Sequence, residues 1–148
     1  MPGSLTLNDQ AVFQFQYDAA ADLLQGGWSA PVLDADLRGH YAELLLAAQQ
    51  HGGCCYWLLD MRGRNWHMPS FGHWFTTEFI AAVHVALGQP VFIAYLLSPR
   101  HRSAAETTRE QLAQQASRER QVYPSAFADE AAARAWLCQQ RLAAPAVG

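Results

Sequence analysis

Two short apolar runs constrain this chain most: Cys54-Cys55-Tyr56-Trp57-Leu58-Leu59-Asp60 and Val91-Phe92-Ile93-Ala94-Tyr95-Leu96-Leu97. Each is bounded by turn residues, Asp60 with Gly63 in one case and Ser98-Pro99 in the other. Apolar runs of this length without polar alternation read as strands buried on both faces, the habit of parallel sheets. Parallel strands need a long crossover, and the stretch between the runs has helical period. Phe71, Phe75, Phe79, Val83 and Leu87 recur at every fourth residue, Pro69 suits a first turn, and Gly88 closes the helix. The expectation is that 54–60 and 91–97 lie side by side, pointing the same way, inside an α/β domain.

The remaining stretches extend that sheet. Val12 to Tyr17 alternates apolar with polar, and Leu23, Leu24 and Trp28 follow a turn-like 18–22, so an antiparallel hairpin at one edge is expected. Gly26-Gly27 inside its second strand points to a bulge or to close approach by another backbone. After Pro31, Asp34 or Asp36 can cap a helix with the buried stripe Leu37, Tyr41, Leu44, Leu45 and Ala48, stopped by Gly52-Gly53. Ser103 to Glu106 fits a capping box for a polar helix reaching Arg120. Val122 to Phe127 reads as a last strand, and Asp129 as the cap of a helix fastened by Trp136 and Leu137. The order is ββαβαβαβα, a mixed sheet flanked by four helices in one domain spanning 1–148, with its core over 11–142.

Composition removes several classes of function. The 148 residues are 51% hydrophobic and 16% charged, which suits a folded domain and not a disordered chain. The formal charge of −3 gives no electrostatic reason to bind nucleic acid or an anionic membrane. No apolar run approaches the length of a membrane span, and Met1 to Ser4 does not open a signal peptide. Adjacent Cys54 and Cys55, with Cys138 apart, lack a C-x-x-C spacing. They read as three buried small hydrophobes in a reducing cytoplasm.

Ligands of open α/β sheets sit where parallel strands end, which directs attention to Asp60 and the loop after it. Asp60 can act as a base or ligand holder, or it can accept backbone hydrogen bonds from the loop that it opens. Arg62 and Arg64 can fork a carboxylate or phosphate, or pair with nearby acids. Asn65, Trp66, His67, Ser70, His73 and Trp74 complete the candidate surface, its aromatic faces and imidazole edges suiting a flat or apolar ligand. An aromatic stripe at helical spacing is also how a core is built. No H-E-x-x-H, nucleophile elbow or glycine-rich phosphate cradle occurs, so no metal, cofactor or catalytic residue is expected. Arg100, His101, Arg102, Arg118 and Arg120 form a basic patch that reads as a solvated helix surface.

One resemblance rests on particular residues. Trp57-Leu58-Leu59-Asp60-x-Arg62, Pro69 with Trp74, Val91 to Ser98, and Phe127-x-Asp129-Glu130-x-x-Ala133-x-x-Trp136-Leu137 resemble small bacterial proteins of the STAS/SpoIIAA-like group, relatives of anti-sigma-factor antagonists. The likeness covers most of residues 11–142. It implies a non-enzymatic, single-domain regulator that docks a protein partner through the 60–65 loop and the start of the next helix. Members of the group carry a phosphorylatable serine after the central strand. Here 60–65 holds no Ser or Thr, and Ser70, in the first helical turn, is the nearby hydroxyl. Some such sequences are likened to CRAL-TRIO lipid carriers, so the rival expectation is a small apolar ligand held by Trp66 and Trp74. An enzyme built on Asp60, Arg62 and His67 is the third. The hairpin edge is open to homodimer pairing.

Overall fold

The computed structural model describes residues 12–63, 69–98 and 122–143. Its five strands are β1 (Phe13–Asp18), β2 (Leu23–Trp28), β3 (Tyr56–Asp60), β4 (Val91–Leu96) and β5 (Val122–Phe127). They form one sheet in that order, with β1 antiparallel to β2 and the other neighbours parallel. The described helices are α1 (Asp34–Gln50), α2 (69–87) and α3 (Glu130–Ala143). The class is α/β with a mixed sheet. The fourth helix expected over 103–120, with its basic patch, lies outside the described residues.

The two apolar runs pair as expected. Trp57 sits opposite Ile93 and Leu59 opposite Tyr95 in a parallel register, with Trp57, Leu59 and Ile93 fully buried. Alternation splits these strands between two cores. Trp57, Leu59, Ile93 and Tyr95 pack beneath α1 and α2, whereas Leu58 and Ala94 meet Phe127, Ala133 and Leu137 beneath α3. Both described crossovers, β2–α1–β3 and β3–α2–β4, step one strand in the same direction. Crossovers of one hand moving one way must place their helices on one face, and they do.

Local chemistry accounts for most element ends. Gly53 and Cys54 donate to the Ala48 carbonyl beyond α1, with Gly52 and Gly53 at φ 76° and 77°, a conformation cheap only for glycine. The Asp129 carboxylate accepts from the Ala131 N–H at 3.2 Å and caps α3. α1 corrects the expected cap: Leu33 occupies that position without a side-chain bond. Asp34 instead lies in the first turn, where its Oδ2 accepts from Arg38 at 2.9 Å.

Other expectations also need revision. The register runs unbroken through Gly26 and Gly27 on both sides, so there is no bulge, and close approach is their reason. A Cβ on Gly27 would lie 3.0 Å from that of Asp60. α2 is not a uniform helix, because Phe75–Phe79 is a π-helical stretch between Pro69–Trp74 and Ile80–Leu87. The wider turn rotates the stripe so that adjacent Phe79 and Ile80 are both buried. Cys54 and Cys55 are buried, and burial pushes the Cys55 thiol up to about 11. Cys138 is exposed, since the buried stripe of α3 runs through Ala133 and Leu137 and leaves the next residue on the solvent flank.

Candidate functional site

Asp60 ends β3 with both oxygens of its carboxylate bonded to Arg62 in the loop it opens. Oδ1 accepts from the Arg62 backbone N–H at 2.9 Å and from Arg62 Nε at 3.0 Å, and Oδ2 accepts from Arg62 Nη2 at 2.8 Å. The turn and the guanidinium fork therefore close on one acid. Burial alone would raise the Asp60 pKa and is the largest single influence. The side-chain bonds, backbone bond and positive charge of Arg62 together outweigh it, and the pKa is lowered. The same pairing raises that of Arg62. This carboxylate is held ionised and is not poised for proton transfer near neutrality.

Two close approaches fix the hook against its neighbours. The Met61 N–H donates to the Leu96 carbonyl at 2.9 Å, tying the loop to the end of β4. A Cβ on Gly63 would lie 2.6 Å from the Trp28 carbonyl oxygen and 2.8 Å from the Ser29 carbonyl carbon, so no side chain fits there. Residues 61–63 thus lean on the exits of both β2 and β4.

Asp60 opens onto a cleft of about 620 Å³. Its floor is the part of the α3-side sheet face that carries Gln14, Gln16, Gln25 and Gly27, with Leu58 and Leu96 at the inner end. Glu130, in the first turn of α3, stands on its rim and adds to the field at Arg62. Its character is polar: side-chain amides and two carboxylates, with the Arg62 guanidinium beside them.

The candidate residues do not form one patch. Asp60 shares the parity of Leu58 and faces the α3 side of the sheet, with Arg62 bound to it. Trp74 packs on the opposite side, its ring 5.5 Å from those of Phe71 and Phe79 and 5.7 Å from the Arg38 guanidinium. Ser70 and His73 are exposed on α2, and the His73 carbonyl accepts from the Thr77 hydroxyl at 2.8 Å. Arg64, Asn65, Trp66 and His67 lie outside the described residues. Beneath α1 and α2 the space is occupied by rings: Tyr41 contacts Phe71, Phe75 and Phe79, and its hydroxyl lies 2.9 Å from that of Tyr95.

Set against models of known protein families, curated proteins and solved structures, the chain matches none of them. Among the described residues no group of three or more His, Cys, Asp and Glu side chains could hold a metal ion. No described helix is long and apolar enough to cross a membrane.

Sequence reasoning missed Gln14, Gln16, Gln25, Gly27 and Glu130. The alternation of β1 was visible, and it does place its glutamines on one face. Their assembly into a shelf depends on register, Gln14 opposite Gly27 and Gln16 opposite Gln25, which one strand's pattern cannot supply. The rule that led to Asp60 also works differently here. It predicts a crevice where crossovers reverse direction, but β2, β3 and β4 follow one another without reversal, and the cleft lies over the sheet face instead.

Proposed function

We propose that this chain is a non-enzymatic, STAS-like regulatory module of the bacterial cytoplasm that docks a protein partner at the carboxyl ends of its parallel strands. The docking surface is the Asp60–Arg62 hook with the glutamine shelf in front of it. The observation that carries this reading is the threefold engagement of Asp60 by Arg62. An acid committed in this way preorganises residues 60–63, which favours recognition over acid–base chemistry. Two of the five guanidinium N–H groups are spent on Asp60, and the rest can meet a carboxylate or carbonyl on the partner. Packing supports docking over the carrier alternative, because Trp74 is engaged with Phe71 and Phe79.

Native mass spectrometry of the protein purified gently from its own host tests the proposal. The expected result is a stoichiometric protein companion, weakened about tenfold or more in Arg62→Ala, a loss of roughly 1.4 kcal/mol. A preparation without a companion, or with an apolar small molecule that survives Arg62→Ala, contradicts it.

A further inference from the structure

The two outer strands of the described sheet differ. In β5 the Phe127 carbonyl accepts from the Leu97 N–H, so Phe127, Ser125 and Tyr123 direct their backbone groups toward β4. Pro124 then falls on the outward parity, and the edge lacks a donor where a further strand would need one. Among the described residues, β1 has no such protection. Phe13-Gln14-Phe15-Gln16-Tyr17-Asp18 contains no Pro, Gly, Lys or Arg.

Which groups β1 offers follows from its register. Ser29 N–H donates to the Val12 carbonyl, so positions 12, 14, 16 and 18 form the hydrogen-bonded pairs with β2. Antiparallel pairing alternates, so Phe13, Phe15 and Tyr17 turn both N–H and C=O outward. Their side chains are already fixed: Phe13 stacks on Trp28 and on His40, and Tyr17 stacks on His51. Phe15, between them, is 37% exposed.

We infer that β1 pairs antiparallel with β1 of a second copy of this chain, about a two-fold axis at Phe15. The register is self-consistent. Phe15 meets the partner's Phe15 and Phe13 meets the partner's Tyr17, and every one of these residues has outward backbone groups. Three pairs exchanging two bonds each give about six hydrogen bonds. Aromatic rings face rings on one side, and Gln14 faces the partner's Gln16 on the other. Asp18, the one charged residue of β1, falls opposite Val12, so no like charges meet. Any strand could supply the backbone bonds, but a second copy also supplies, by symmetry, ring opposite ring and an uncharged residue opposite Asp18. The cleft gains by this pairing, since Gln14, Phe15 and Gln16 line it and its outer wall continues into the partner's glutamines. The inference does not depend on the docking reading.

Strand pairing alone buries little area, so the dimer is weak, with a Kd of about 1–100 µM. Sedimentation over about 1 µM to 1 mM protein should show monomer–dimer exchange. Amide exchange should show Phe13, Phe15 and Tyr17 protected only at high concentration, and Gln14 and Gln16 protected at all concentrations. Phe15→Lys and Phe15→Glu each place like charges across the axis and should weaken dimerisation at least about tenfold, while an equimolar mixture restores it. A monomer throughout overturns the inference, as does a dimer indifferent to both substitutions or a mixture that fails to associate. Protection of Phe13, Phe15 and Tyr17 that ignores concentration also overturns it, because the edge is then filled within one chain.

Discussion

Asp60 carries two loads at once, ending β3 and organising the turn after it. Replacing the carboxylate by an amide keeps its shape but removes the charge that Arg62 surrounds. Both side chains touch solvent, which screens the pair, so Asp60→Asn should cost about 1 kcal/mol or less at neutral pH. The sign of its pH dependence follows from the lowered pKa. Because the folded value lies below the unfolded one of about 3.9, the stabilisation is complete above that pH and is lost as pH falls through the folded value. Denaturant titrations should therefore show a constant gap between the wild-type protein and Asp60→Asn from neutrality to about pH 5, closing below about pH 4. A gap that widens on acidification would place the Asp60 pKa above its ordinary range.

At the scale of elements, the aromatic ladder of α2 and the hook after β3 play separate roles. Trp74 is packed on Phe71 and Phe79, and half of Arg62's surroundings is water. Trp74→Ala should lower stability by about 2 kcal/mol or more, and Arg62→Ala by under about 1 kcal/mol. Equal losses of Tm in the two would make the hook part of the core. These elements were legible in the sequence because each is a local pattern. A four-residue ladder gave α2, unbroken apolar runs gave β3 and β4, and Asp129 marked the start of α3. The π-helical stretch was not legible: which residue after Phe75 turns inward depends on how Phe79 and Ile80 fit against Trp57 and α1, and that is tertiary packing. The same holds for the cap of α1. Two acids at its start were visible, but Arg38, one turn on, draws Asp34 into a pair instead.

At the scale of the whole molecule, the described helices cover the sheet unequally. α1 and α2 seal one face, whereas α3 lies against β3, β4 and β5 and leaves the glutamine shelf of β1 and β2 open beside Asp60. Half of the candidate site was thus readable from a strand end, and half required register across three strands. The account turns on that open shelf being where a partner sits. Its most direct test is one accessible thiol, Gln25→Cys in a Cys138→Ser background with Cys54 and Cys55 left buried, labelled with a bulky maleimide and followed by native mass spectrometry. The account predicts that the thiol reacts in the folded protein, that Tm is unchanged, and that the labelled protein loses its companion. A labelled protein that keeps its companion, or a thiol that reacts only after unfolding, would contradict it.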